Sequence, residues 1–268
     1  MNKYVTSRSK KIMGKQLLRI YKGWTKGFLH SPSKSYSQYG EDLVVYNYFG
    51  AEKTEEFHVD IGCFHPKQIP NSYIFHKQGR KGLAVDIDKH KTDLFTALRK
   101  GRCDVMVAAA TGPNSLGNTS DVYLFQNGWS EIDTLDKESA IYQRDIQKRG
   151  EFTVDKINTI GINQLLDKLP HINLLNIDAE GIDIDIMQHI DLTRFQIDVT
   201  LFEDNKKWGG PDFINEKMPR HGYKLLFCSK GSVCFAKAKI QHNEVNFCKS
   251  LALQIATIDN FLARKTYS

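Results

Sequence analysis

Short apolar runs alternate with helix-like stretches through most of this sequence, and this alternation limits the choice of fold more than any other feature. Five runs have the length and residue types of buried strands, namely 57–61, 82–86, 105–109, 172–177 and 197–202. Helical patterns follow or separate them at 89–100, 162–169, 183–189 and 213–221. Strands separated by helices predict a doubly wound α/β fold, with a mostly parallel twisted sheet and helices on both faces.

The last part of the chain departs from this pattern. The runs 223–228 and 233–236 lie on either side of a short turn-like segment, Ser229-Lys-Gly-Ser232. Strands joined by so short a turn pair antiparallel, so the sheet is predicted to end in an antiparallel hairpin.

Acidic residues follow four of the five predicted parallel strands. The groups are Asp60 with Gly62, Asp86 with Asp88, Asp178 with Glu180, and Glu203 with Asp204. Open sheets of this class bind their ligands at the carboxyl ends of the strands, so these side chains are predicted to border a site. Helix capping explains some of them equally well, above all Asp88 before the helix at 89–100.

The second strand ends 26 residues after Asp60, at Asp86. A carboxylate at about this spacing can accept hydrogen bonds from the hydroxyls of a ribose. The first turn contains Gly62 but no GxGxxG pattern, which disfavours the pyrophosphate of a dinucleotide. No GxxxxGK[ST] phosphate loop and no GxSxG nucleophile elbow occur in the chain. A nucleoside cofactor without phosphates fits this pattern, and S-adenosylmethionine is one.

Positive charge is concentrated at the start of the chain. Nine of the 37 basic residues lie within residues 1–40, which contain no acidic residue. The remainder of the chain therefore has 31 acidic and 28 basic residues. Within residues 10–29, aromatic and aliphatic side chains share one helical face and lysines the other. Such a helix suits an anionic membrane surface or a partner protein. Packing on the body, disorder and an organelle transit peptide are the alternatives.

These patterns divide the chain into residues 1–34, a basic arm with its linker, and residues 35–268, the folded domain. Five cysteines without a CxxC pair argue against a disulfide framework or zinc site and suit the reducing cytoplasm. No run approaches the roughly 20 apolar residues of a membrane-spanning helix. The protein is therefore expected in the cytoplasm, at the inner face of the membrane if the arm binds lipid. The body has no basic excess, so nucleic acid is not an expected partner.

Six motifs occur in an order and spacing that resemble the FkbM-type methyltransferases. They are SQYGED (37–42), VDIGCFHP (59–66), NSYIF (71–75), GRKGLAVD (79–86), IGINQLL (160–166) and LLNIDAEG (174–181). The resemblance implies a class I Rossmann-like methyltransferase fold, S-adenosylmethionine as donor and a hydroxyl group as acceptor. It also implies a small-molecule or glycan acceptor, since sugars of polysaccharides and glycolipids are frequent acceptors in that family.

The chain departs from the family pattern at several positions, which indicates a divergent branch with its own acceptor. The departures are at Arg80, Asn71-Ser-Tyr73, Ile160-Gly-Ile162, Ala179 and Asp183. None of them removes a carboxylate that the resemblance assigns to the cofactor.

Matching the motifs residue by residue gives a set of cofactor-binding candidates: Gln38, Tyr39, Glu41, Asp60, Gly62, Asn71, Asp86, Asp104, Ala109 and Asp178. Asp86 would accept the ribose hydroxyls, and Asp104 and Ala109 would lie at the adenine. For the SQYGED motif, capping of the following helix is the competing interpretation.

Methyl transfer to a hydroxyl needs positioning and is helped by a base. Asp178, Glu180 and His65 are the candidate catalytic residues. Alternatively, Asp178 with Glu203 and Asp204 could hold Mg²⁺, which would polarise the acceptor hydroxyl. Two other functions stay open at this point: a non-catalytic protein that binds S-adenosylmethionine, and an NAD-dependent oxidoreductase on a similar sheet.

Overall fold

A computed structural model describes residues 35–49, 57–112, 118–126, 130–203, 216–229 and 231–238. The basic arm, residues 1–34, lies outside the described residues, and so does Asp204. The predictions that rest on them therefore stay predictions. None of the described helices is long and apolar enough to cross a membrane.

The main sheet has seven strands in the order β3-β2-β1-β7-β8-β10-β9. These are β1 (Phe57–Ile61), β2 (Lys81–Asp86), β3 (Cys103–Val107), β7 (Ile172–Ile177), β8 (Ile197–Glu203), β9 (Tyr223–Cys228) and β10 (Ser232–Lys237). The first five pair in parallel, whereas β10 runs antiparallel to both β8 and β9. The predicted parallel sheet and its antiparallel C-terminal hairpin are thus confirmed. This is a Rossmann-like, doubly wound α/β arrangement, as predicted.

Six helices lie wholly within the described part of the chain: α1 (Glu41–Phe49), α2 (Tyr73–Lys77), α3 (Lys89–Arg99), α4 (Lys137–Asp145), α5 (Ile162–Leu166) and α6 (Asp183–His189). Residues 216–220 are helical as well. Adjacent residues of β7 face opposite sides of the sheet and belong to separate cores. Leu175 packs in the cluster that contains Ile162 and Ile186 of α5 and α6, whereas Leu174 packs with Val44 and Phe75 of α1 and α2. Helices therefore cover both faces, as the α/β pattern predicts.

A second, three-stranded sheet was not predicted from the sequence. It has the order β4-β6-β5, with β4 (Ala109–Thr111), β5 (Thr119–Phe125) and β6 (Phe152–Gly161). The prediction of one strand over 105–109 is corrected accordingly: β3 begins at Cys103 and ends at Val107, and β4 begins at Ala109 in the other sheet. Helix α5 is also shorter than predicted, since it ends at Leu166 rather than at residue 169.

Candidate active site

A cleft opens where β1, β2 and β7 end, next to the point at which the chain turns from one half of the sheet to the other. It comprises a narrow cavity of about 40 Å³ and a wide cavity of about 430 Å³. Five residues line both of them: Gly62, Phe64, Glu131, Asp178 and Glu180. The two cavities therefore adjoin at these five residues. Of the two, only the wide cavity falls within the usual volume range of small-molecule sites, roughly 300–1,000 Å³.

Gly62 brings the ends of β1 and β7 into close approach. Its φ is +73°, and a Cβ built on it would lie 1.7 Å from the backbone oxygen of Asp178. Its amide donates to the carbonyl of Val85 at 2.9 Å, and the amide of Asp178 donates to that of Ile61 at 2.9 Å. Only glycine combines this φ with this lack of space, so residue 62 places Asp178 against the first turn.

Asp60 is buried near the end of β1, and neighbouring side chains donate hydrogen bonds to both of its carboxylate oxygens. Its Oδ1 accepts a hydrogen bond from Nδ2 of Asn176 at 2.8 Å, and its Oδ2 accepts one from the hydroxyl of Ser72. Arg99 donates to the same hydroxyl at 3.0 Å. Burial raises the pKa of Asp60, and the bonds from Ser72 and Asn176 and the charge of Arg99 oppose this rise. Both carboxylate oxygens are thus held by the protein.

Asn71 presents a buried acceptor without a partner. Its Nδ2 donates to Oδ1 of Asn176 at 3.0 Å, and its Oδ1 has no hydrogen bond among the described residues. The orientation of the Asn176 amide follows from its contact with Asp60. An ionised carboxylate can only accept hydrogen bonds, so Asn176 must turn its NH₂ group to Asp60 and its oxygen to Asn71. Asn71 lines the wide cavity. The oxygen itself is buried, so a protonated amine of a ligand in this cavity would reach it only after a small local shift.

Asp86 ends β2 and lines the narrow cavity. Its Oδ2 accepts from the amide of Phe64 at 3.0 Å, and its Oδ1 accepts from the amide of Asp88 at 2.9 Å. The ammonium of Lys91 lies 3.8 Å from Oδ1. Burial raises the pKa of Asp86, while Lys91 and the two amides oppose this and favour the carboxylate. Each oxygen can accept a further hydrogen bond, which is what a ribose diol requires.

Three carboxylates meet where the cavities join. Oxygen atoms of Asp178, Glu180 and Glu203 lie within 4.8 Å of one another. The pKa values of Asp178 and Glu180 are raised well above their usual range, because the cleft removes water and neighbouring acids disfavour further negative charge. Glu180 has a φ of +50°, and its carbonyl accepts from the hydroxyl of Thr134 at 2.6 Å. Glu180 thus joins Asp178 and Glu203 in a possible metal-ligand set.

His65 lies apart from this group. Its Nδ1 accepts hydrogen bonds from the amides of Lys67 and Gln68, at 3.1 and 3.0 Å, and it lines neither cavity. Partial burial, with Lys67 nearby, lowers its pKa. The geometry assigns the ring to the structure of the turn, so the catalytic candidates that meet in the cleft are Asp178 and Glu180.

The two residues predicted to lie at the adenine have different positions. Ala109 lines the narrow cavity together with Ala108 and Ala110. Asp104 is exposed and pairs in register with Leu83, three residues before Asp86, and it lines neither cavity. The physical reason is the register of β3: this strand begins at Cys103, so Asp104 is near its start rather than at its carboxyl end.

The SQYGED motif contributes one residue to the cavity wall. Gln38 lines the wide cavity, whereas Tyr39 and Glu41 do not. The carboxylate of Glu41 accepts from the amide of Tyr39 at 2.9 Å and from the hydroxyl of Ser229 at 2.8 Å. Glu41 therefore fixes the segment that carries Gln38. Asp88 is the N-cap of α3, since its side chain accepts from the amide of His90 at 2.7 Å.

Several residues of the cleft were not anticipated from the sequence. They lie on α3 or in the region of the second sheet: Lys91, Glu131, Asp133, Thr134, Tyr142, Gln143, Gln147 and Arg149. One local signal was available, because Asp136 is an N-cap whose side chain accepts from the amide of Glu138 at 2.9 Å. It predicts helix α4, which carries Tyr142 and Gln143.

Comparison with known proteins gives one family. The family model described as the methyltransferase FkbM domain matches residues 70–225, which is more than half of the chain. No curated protein matches. Among solved structures, a protein from Pyrococcus horikoshii assigned as an RNA methyltransferase is 11% identical with a TM-score of 0.38. That match covers 74% of this chain and 84% of the other.

Proposed function

Because this chain belongs to the FkbM methyltransferase family, we propose that it transfers a methyl group from S-adenosylmethionine to a hydroxyl group, on a sugar of a glycan or glycolipid. The observation that carries the proposal is the pairing of two groups at opposite parts of one cleft. Asp86 lines the narrow cavity, and Asn71, whose buried Oδ1 has no hydrogen-bond partner among the described residues, lines the wide one.

The residues present suit this cofactor at both of its ends. Asp86 would accept the hydroxyls of the ribose, and Ala108–Ala110 offer a flat apolar surface to the adenine. Asn71 would accept from the ammonium group of the methionine portion. When bound, the cofactor supplies an electrophilic methyl group on a sulfonium. The acids at the junction of the cavities suit a positively charged centre.

The chain itself would supply the base. Methyl transfer needs the acceptor oxygen to lose its proton, and a carboxylate with a raised pKa is the stronger base. Asp178 and Glu180 both have raised pKa values and both line the two cavities. We assign the proton to this pair as a unit, because neighbouring carboxyl groups titrate together.

The wide cavity supports an acceptor with several hydroxyl groups. Its wall contains six amide side chains, from Gln38, Gln68, Asn71, Gln143, Gln147 and Asn176. Amides both donate and accept hydrogen bonds, as does a sugar hydroxyl. Tyr142 adds an aromatic ring to the same wall, and Arg149 forms an ion pair with Glu131 there.

A divalent cation is a second possibility for the same acids. Asp178, Glu180 and Glu203 offer hard oxygen ligands within 4.8 Å of one another, the donor type that Mg²⁺ prefers. A cation there would polarise the acceptor hydroxyl. The two mechanisms differ in one measurement: full turnover in EDTA supports the carboxylate base, and loss of turnover that MgCl₂ restores supports the metal.

Incubation with radiolabelled S-adenosylmethionine and a panel of cell-envelope sugars tests the proposed reaction. Transfer of label to a sugar hydroxyl supports it, with Asp178→Asn as the inactive control. Binding of S-adenosylhomocysteine without transfer to any acceptor would favour a non-catalytic binding protein. Binding of NAD in place of S-adenosylhomocysteine would favour an oxidoreductase.

A further inference from the structure

Lys91 is a buried cation that the proposed reaction does not use. It lies in the first turn of α3, and only 3% of its surface is exposed. Its Nζ donates to the backbone oxygen of Ser130 at 2.7 Å and to Oδ2 of Asp133 at 2.8 Å. The same atom lies 3.8 Å from Oδ1 of Asp86. Lysine is rarely buried this completely unless it is paired, and the two acids beside Lys91 both line the narrow cavity.

Residues 130–135 form one side of the narrow cavity and are called the cleft wall here. Asp133 attaches this wall to the second sheet, because its Oδ1 accepts from the amide of Phe125 at 2.7 Å. Thr134 exchanges two backbone hydrogen bonds with Tyr123, at 2.8 and 3.1 Å. On the other side of the cavity, the wall is attached to α3 through Lys91. The lysine thus connects helix α3, which follows β2 of the main sheet, to the wall that is attached to the second sheet.

We propose that Lys91 is a positioning residue that holds the cleft wall against Asp86 and so shapes the nucleoside half of the site. Its charge is shared between the carboxylate of Asp133 in the wall and the carboxylate of Asp86. Without the ammonium group, two buried acids would border the same space with no cation between them. The wall would then move away from the ribose, and Asp86 would be less readily ionised and a poorer acceptor for it.

This inference rests on the proposed function, since it concerns the half of the cleft assigned to the nucleoside. Four proteins separate positioning from stability: wild type, Lys91→Met, Asp133→Asn and the double variant. Each is titrated with S-adenosylhomocysteine and with 5′-methylthioadenosine, which has the same nucleoside but no amino-acid portion. Melting temperatures are measured in parallel.

Lys91→Met is expected to lower the melting temperature and to weaken both ligands by about tenfold, the effect of losing one charge-assisted contact. The double variant is expected to recover much of the melting temperature, because the amide introduced at position 133 can still accept from Phe125 and no acid of the wall is left unpaired. Its affinity for both ligands should stay about tenfold low. Lys89→Met is the matched control, since Lys89 is on the same turn but exposed, with Asp93 as partner.

Wild-type affinity in the double variant would overturn the inference, because Lys91 would then only have balanced the charge of Asp133. A loss confined to S-adenosylhomocysteine would also overturn it, since the effect would lie at the amino-acid end. If the wild-type protein bound neither ligand, the proposed function and this inference would fail together.

Discussion

Asn176 donates from Nδ2 to Oδ1 of Asp60 at 2.8 Å, and this bond leaves its own Oδ1 as the acceptor for Nδ2 of Asn71, at 3.0 Å. Asn176→Asp should break this bond and place two buried carboxylates side by side, because a carboxylate at 176 could still accept from Asn71 but could no longer donate to Asp60. We expect at least a tenfold loss of affinity for S-adenosylhomocysteine, the cost of a disrupted buried polar network. Affinity for 5′-methylthioadenosine, which has no amine for Asn71, should be unchanged.

Asn173→Asp is the matched control for this variant. Asn173 is on the same strand, and its Nδ2 donates to Asp198 at 2.8 Å, far from the cleft. The Asn173→Asp protein should be less stable than the wild type but should bind S-adenosylhomocysteine with the same affinity. Equal losses of affinity in both variants would contradict a specific role of Asn176 at the amino-acid end.

Gly62→Ala tests the close approach of β1 and β7. The new Cβ would lie 1.7 Å from the oxygen of Asp178, so the two strand ends must separate. We expect the melting temperature to fall by more than about 10 °C. Overpacking against backbone costs several kcal/mol, and each kcal/mol lowers the melting temperature of a chain of this size by about 2–4 °C. Gly101→Ala has nearly the same φ, +70°, but no atom within 4 Å, and should cost far less. Similar melting temperatures for the two variants would contradict the packing at Gly62.

Asp178→Asn should remove turnover and stabilise the fold. The pKa of Asp178 is raised in the folded protein, so its ionised form destabilises the fold at any pH above that raised value. Because the side chain of Asp178 is exposed and solvent screens its charge, we expect only a small gain in melting temperature at pH 8, about 1–2 °C. The gain should shrink as the pH falls through the raised pKa and be absent below 3.8, the ordinary value, where both states are protonated. Asp104→Asn, at an exposed position outside the cleft, should change neither property.

The acid limb of the pH–rate profile reports the pKa of the carboxylate base. Because the base must be ionised, kcat/KM should rise with pH through the raised pKa of the pair Asp178 and Glu180. The acid Glu203 contributes to the rise in both residues, so Glu203→Gln should move the limb to lower pH. A limb at the same pH in that variant would argue against a base among these acids.

The main sheet was predictable because its central strands, β1, β2, β7 and β8, are buried on both faces. Such strands are short and mostly apolar, and the runs 172–177 and 197–202 are visible as such in the sequence. The acids that follow them could therefore be placed at one edge of the sheet, and Asp60, Asp86 and Asp178 all border the cleft.

The second sheet was not predictable in this way, because most of β6 is exposed and its residues resemble a polar loop. The burial of Lys91 could not be predicted from the sequence for a related reason. A lysine in the first turn of a helix is usually solvated, and its burial arises only when β5 and the cleft wall fold over it, 39 to 42 residues later. Asp104 was misplaced although the strand itself was found: it lies at the amino end of β3 whether that strand begins at 105, as predicted, or at Cys103, as observed, and the cleft is at the carboxyl ends.

Calorimetric titration of S-adenosylhomocysteine into the wild-type protein and Asp86→Asn tests the central claim most directly. The wild type should bind it with micromolar affinity and should not bind NAD. Asp86→Asn should bind it about 10–100-fold more weakly, because an amide cannot accept both ribose hydroxyls as a carboxylate does. Equal affinity in the two proteins, or binding of NAD alone, would contradict the assignment of this cleft.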